Sequence, residues 1–121
     1  MAINLEIEVL PSAALAATQL VPIENLNCSR GKLLVAVSAA AAGASFTPII
    51  HRRDKLGNRR EILRGRPMYG PGEYELEVGP GVESVENMAE DAFLPKALTV
   101  EFRQNAGGLS MTMSSTFSLV A

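Results

Sequence analysis

The sequence predicts an all-β protein, a single antiparallel β-sandwich of about seven or eight strands that is either Ig-like or jelly-roll-like. Apolar and polar residues alternate along several segments, which is typical of strands with one buried face. Turn-forming residues separate these segments at short intervals, and no long stretch has helical periodicity. The chain of 121 residues, spanning 1–121, is long enough for one domain with its own core.

The N-terminal part opens with a strictly alternating segment, residues 3–9. Pro11 is expected to end this first strand, because proline lacks the amide hydrogen that a ladder needs. The alanine-rich residues 12–17 favour a helix by propensity but are too few to form one alone, so their conformation is left open. Further strands are predicted over residues 18–26, 33–37 and 46–52.

The second part of the chain is divided by clear turn sequences. Residues 54–58 predict a hairpin between the segments on either side. Two Gly-Pro-Gly turns, at 70–72 and 79–81, bracket a strand with three outward glutamates. Residues 86–93 are expected to form at most one short helix. Strands are predicted over residues 59–64, 73–78, 98–103 and 109–120.

Charge is strongly segregated along the chain, although its net value is only −2. Residues 51–66 sum to +5 and residues 73–91 to −7. Opposite charges of this kind pair across strands of one sheet, or they guide contact between subunits. If they meet across subunits, the partner-binding side chains are Arg52, Arg53, Arg59, Arg60, Glu73, Glu75 and Glu77.

The composition offers little for catalysis. The only cysteine and histidine, Cys28 and His51, would need an orienting third group to act as nucleophile and base. We therefore predict no enzyme, no cofactor and no metal site, since the acids also lack calcium-loop spacing. A pI near 5.4 argues against nucleic acid as a partner. No apolar run approaches the roughly 18 residues of a membrane span.

Several segments together resemble small β-sandwich structural proteins of tailed double-stranded-DNA bacteriophages. The matching features are the apolar strand at 31–37, the small-residue loop with Thr-Pro at 44–48, and the charged hairpin tip at 54–58. The closing segments 94–100 and 107–112 fit the same pattern. The acidic stretch 82–93 and the alternating N-terminal strand depart from it.

The resemblance implies a capsid decoration (cement) protein that binds the outer capsid surface and stabilises the head. Its partners would be the major capsid protein and copies of itself in a homotrimer. It would be made in the host cytoplasm and reside on the virion. Two alternatives stay open, a head-fibre or tail minor structural protein, and a surface module that binds carbohydrate or a receptor.

The N-terminal residues 1–11 are also a candidate strand-exchanging arm. The strand either completes its own sheet or pairs with a neighbouring subunit, where its apolar side chains would fill alternate pockets. Those side chains are Ile3, Leu5, Ile7 and Val9.

Overall fold

The computed structural model describes residues 4–25, 28–54, 56–105 and 107–120, and these form nine strands. Their bounds are β1 Asn4–Leu15, β2 Gln19–Glu24, β3 Arg30–Ala40, β4 Phe46–Arg53, β5 Arg59–Arg64, β6 Gly72–Val78, β7 Ala89–Glu90, β8 Ala97–Gln104 and β9 Met111–Val120. One sheet has five strands in the order β1-β9-β3-β6-β7, and the other has four in the order β2-β8-β4-β5. The predicted all-β sandwich is confirmed.

The strand order is that of a jelly roll. If the two-residue β7 is set aside, eight strands remain, and they pair as a rolled-up hairpin. The first pairs with the last, β2 with β8, β3 with β6, and β4 with β5. All of these pairs are antiparallel, whereas β7 pairs with β6 in parallel. Of the two expected architectures, the topology is therefore the jelly roll, an arrangement of two Greek keys.

A single core fills the space between the sheets. In the five-stranded sheet, Ile7, Phe117, Leu33 and Leu76 lie side by side in one row. In the other sheet the equivalent row is Val21, Val100, Ile50 and Leu63. Both rows belong to one apolar cluster. Burial of each such side chain stabilises the fold by about 1.5–3 kcal/mol. A strand that turns its apolar face to the core is therefore favoured, and this is why alternation predicts these strands.

The prediction that Pro11 ends the first strand is wrong. β1 continues to Leu15, and it does so through irregular pairing between Glu8 and Ala13. Pro11 falls within this irregular section, on a strand at the edge of its sheet. Edge strands and bulges are the places where a missing amide hydrogen costs little. The alanine-rich residues left open by the sequence are thus mostly strand.

Residues 86–93 form no helix, which agrees with the expectation of at most one short helix there. Residues 86–88 make a turn in which Asn87 has a φ of 61°, outside the right-handed helical region. The N–H of Glu77 donates to the carbonyl of Met88 (2.9 Å), which starts the pairing of β7 with β6. Pairing with the sheet edge therefore overrides the helical tendency of this segment.

Candidate partner-binding surfaces

A buried carboxylate organises the outer face of the four-stranded sheet. Glu101 of β8 is 5% exposed, and its Oε1 lies 2.8 Å from Nε2 of His51 on β4. Arg103 donates to the same carboxylate from Nε (2.7 Å) and from Nη2 (3.3 Å). Nη1 of Arg59, across the sheet on β5, lies 3.8 Å from Oε1. Three strands thus converge on one negative charge.

The surroundings of Glu101 hold it in its ionised form. Burial alone would raise the pKa of its carboxyl, but the hydrogen bonds from Arg103 and His51 outweigh this and keep the pKa below its usual value. The hydrogen bonds to Glu101 in turn raise the pKa of Arg103. Because an ionised carboxylate only accepts hydrogen bonds, Nε2 of His51 carries the hydrogen. The buried Nδ1 of His51 has no hydrogen-bond partner within the described part of the chain.

The end of the β4–β5 hairpin is strongly basic. Arg53 pairs with Arg59 across the two strands, and Arg52 pairs with Arg60. We call these four side chains the basic tip. Among the described residues, Arg52, Arg53 and Arg60 have no carboxylate within ion-pair distance, and the buried Nε of Arg53 has no acceptor. The basic tip therefore carries positive charge that the described residues leave largely uncompensated.

The outer face of the five-stranded sheet is acidic along both sides. Its register places Glu8, Thr116, Leu34 and Glu75 in one row across β1, β9, β3 and β6. In the next row, Glu6 and Glu77 flank Ser118 and Lys32, and on the other side Glu73 lies beside Ala36 and Ser114. We call this face the acidic trough; its walls are Glu6 and Glu8 on β1 and Glu73, Glu75 and Glu77 on β6, and its floor is Lys32, Leu34, Ala36, Ser114, Thr116 and Ser118. The walls stand about 14 Å apart, three strand spacings of about 4.8 Å.

The two charged surfaces lie on different sheets of the sandwich. The basic tip belongs to β4 and β5, and the acidic trough to the other sheet. Every ion pair of the basic segment within the described residues is made to Glu61 or Glu101, neither of which lies in 73–91. Lys32, on the trough floor, approaches Glu75 at 4.0 Å. The sequence left open whether the two charged segments pair within one sheet. Within the described residues, the structure shows no ion pair between 51–66 and 73–91.

The N-terminal strand pairs with β9 along nearly its whole length. Leu5 and Ile7 are half-buried against the core, and Val9 is 5% exposed. Ile3 lies outside the described residues. In this single chain the strand completes its own sheet, and exchange between subunits stays a prediction.

The structure does not bring Cys28 and His51 together. Cys28 belongs to the core between the sheets, where its N–H donates to Oδ1 of Asn25 (2.9 Å). His51 lies on the outer face of the four-stranded sheet beside Glu101. Within the described ranges, no three His, Cys, Asp or Glu side chains are grouped as metal ligands. No helix there has the length and apolar character to cross a membrane.

Sequence reasoning missed two parts of these surfaces. The sequence places Glu6 and Glu8 in the first strand but gives no sign that they face other acids. Only the pairing of β1 with β9 puts them opposite the β6 glutamates. The Glu101 network was also missed. The Glu-x-Arg spacing of Glu101 and Arg103, which places both side chains on one face of a strand, was the available signal.

The comparisons with known proteins concern the fold. No family model matches the sequence, and no curated protein matches it significantly. Among solved structures, the chain is similar to one in the structure of infectious bursal disease virus, Gx strain, with a TM-score of 0.55 and 10% sequence identity. The match covers 98% of this chain and spans about a third, 32%, of that one. The likeness shows a shared sandwich fold.

Proposed function

We propose that this chain is a non-enzymatic structural protein of a virion. The observation that carries the proposal is the complete jelly-roll pairing of this chain, together with its fold likeness, over 98% of the sequence, to a chain in a virus structure. Jelly rolls are a recurrent architecture of viral capsid domains. Because the neighbour is three times longer and only 10% identical, its own role does not define this one.

Within that class, we propose a decoration (cement) protein on the outer capsid surface of a tailed double-stranded-DNA bacteriophage. The sequence resemblance supports this finer role. The charged outer faces also favour it, because exposed complementary charge fixes the register of neighbouring subunits. Its partners are then the major capsid protein and copies of itself in a homotrimer. It is made in the host cytoplasm and incorporated into the virion.

The test is the copy number of the chain in purified particles of the virus that encodes it, measured by quantitative mass spectrometry against the major capsid protein. A decoration protein is present in a fixed ratio to the capsid lattice. Particles without it should lose their DNA at a lower temperature. A few copies per particle would instead indicate a head-fibre or tail component. Absence from the particle contradicts the virion role itself.

Carbohydrate binding is the second candidate function, because jelly rolls also include lectin domains. One observation favours it: Tyr69, in the β5–β6 connection, is 70% exposed. Tyr74 is different, since it is half-buried and its hydroxyl donates to the carbonyl of Gly70 (2.8 Å). If the chain binds glycans, Tyr69→Ala should remove the signal on a glycan array. A glycan signal that survives Tyr69→Ala excludes this site.

A further inference from the structure

We propose that the basic tip of one copy docks in the acidic trough of a second copy. The proposal concerns the isolated chain and does not depend on the virion role. Complementary charge argues for this occupant. The trough walls carry five glutamates against one lysine on the floor, Lys32, which approaches only Glu75. The tip carries four arginines, of which three have no ion-pair partner among the described residues. Such complementarity steers association and fixes register.

Hydrogen bonds among the described residues restrain the turn that joins β4 and β5 at the basic tip. Oδ1 of Asp54 accepts hydrogen bonds from the N–H groups of Leu56 and Asn58, both at 2.9 Å. The N–H of Gly57 donates to the carbonyl of Asp54 (3.0 Å), and Gly57 adopts the positive φ of 83° that this turn requires. Because these hydrogen bonds already restrain Leu56, Gly57 and Asn58, less conformational entropy is lost on binding.

The turn next to the basic tip also presents an apolar side chain that the acidic trough can receive. Leu56 is 87% exposed at the end of the hairpin. On the trough floor, a depression of about 290 Å³ is bordered by Leu34, Ala36, Ser114 and Glu75. Leu34 is itself 37% exposed there. Seating Leu56 beside Leu34 removes both from water, while the arginines flanking Leu56 reach the glutamates on the walls.

The geometry requires two copies. Tip and trough belong to different sheets of the sandwich, so each copy offers one of each and the contact is heterologous, between unlike surfaces. Heterologous contacts close into rings when the rotation allows and otherwise continue as filaments. A closed ring of three copies would satisfy the expected homotrimer.

The experiment is sedimentation of the purified full chain with charge-reversed variants. One variant carries R52E and R60E in the tip, and the other carries E8R and E75R in the trough. Each variant alone should associate at least about tenfold more weakly than wild type, because like charges then meet. An equimolar mixture of the two should associate again, since each supplies the complement that the other lacks. Leu56→Ser should weaken association without any change of charge.

The matched control is E83R with E86R, which changes the charge by the same amount at exposed positions outside the trough and should leave association unchanged. Circular dichroism verifies that every variant is folded. The proposal is overturned if wild type stays monomeric, or if the reversed variants associate as wild type does. It is equally overturned if two folded variants fail to associate when mixed. Loss of particle binding by the tip variant with unchanged self-association would assign the tip to a capsid partner instead.

Discussion

The carboxylate of Glu101 and the imidazole of His51 face each other at 2.8 Å on the outer side of the four-stranded sheet, both more than 90% buried. Arg103 and Arg59 complete the charge balance from positions that are 42% and 41% exposed. Hydrogen bonds and ion pairs to these three side chains offset the free-energy cost of burying the Glu101 carboxylate. The central strands β4 and β8 are therefore joined by side-chain as well as backbone hydrogen bonds.

Replacement of Glu101 by Gln should destabilise the fold by about 1.5–3 kcal/mol, because hydrogen bonds to a charged group are lost inside the sheet. Urea unfolding measures the change. Glu61→Gln is the matched control, since Glu61 pairs with Arg64 at a side chain that is 40% exposed. Surface pairs of this kind contribute about 0–1 kcal/mol. Equal effects of the two substitutions would contradict the special role of Glu101.

The same carboxylate predicts how stability depends on pH. The pKa of Glu101 is lower in the folded chain than its usual value of about 4.3, so the unfolded state takes up this proton first as the pH falls. Its contribution is full above about pH 5 and is lost as the pH drops through the folded-state pKa. Unfolding free energies between pH 7 and pH 3 should fall less steeply in Glu101→Gln than in wild type. Parallel curves would contradict this.

Gly31 is a position where the core admits no side chain. A Cβ there would overlap Cε1 of the fully buried Phe117 and lie 2.9 Å from Cδ2 of Leu119. Gly31→Ala should therefore lower the free energy of unfolding by about 1–3 kcal/mol, because the added methyl group overpacks the core. Gly70→Ala is the control, because nothing lies within 4 Å of its Cβ position, and its effect should stay within about 0.5 kcal/mol. If Gly31→Ala leaves the free energy of unfolding unchanged, the ring of Phe117 can shift to make room, and the core at this position is not tightly packed.

Deletion of residues 1–11 tests the N-terminal strand. It removes Val9 and Leu10, which are 5% and 7% exposed, and it uncovers the edge of β9. Two such side chains contribute about 3–6 kcal/mol, so the shortened chain should unfold at a much lower temperature. If the strand can exchange between copies, a peptide of residues 1–15 should restore the melting temperature.

A shortened chain with unchanged thermal stability would mean that the strand is not part of its own core. A peptide with a scrambled order of the same residues is the control. Failure of the native peptide to bind would leave only pairing within one chain.

The strands themselves could be predicted because their signal is local. Residues 73–78 alternate, and the structure buries Leu76 and Val78 and points the three glutamates outward, as expected. The same is true of β9, where every second residue from Met111 to Leu119 is buried. Alternation records which face of a strand is apolar, and this depends on the side chains alone.

The arrangement of the strands could not be predicted in the same way. The acidic trough needs Glu8 on β1 to lie in one row with Glu75 on β6, through two strands that are distant in sequence. Such pairings are fixed by the global topology. Whether residues 86–93 form a short helix was open for the same reason, because pairing with the edge of β6 decides the conformation of Ala89 and Glu90.

We propose that this jelly roll is a structural component of the outer capsid. A cryo-electron microscopy reconstruction of the particle that encodes it tests this most directly. The proposal predicts density for the nine-strand sandwich on the outer capsid surface, repeated with the symmetry of the lattice. Density confined to the tail, or a particle that contains no such sandwich, would contradict it.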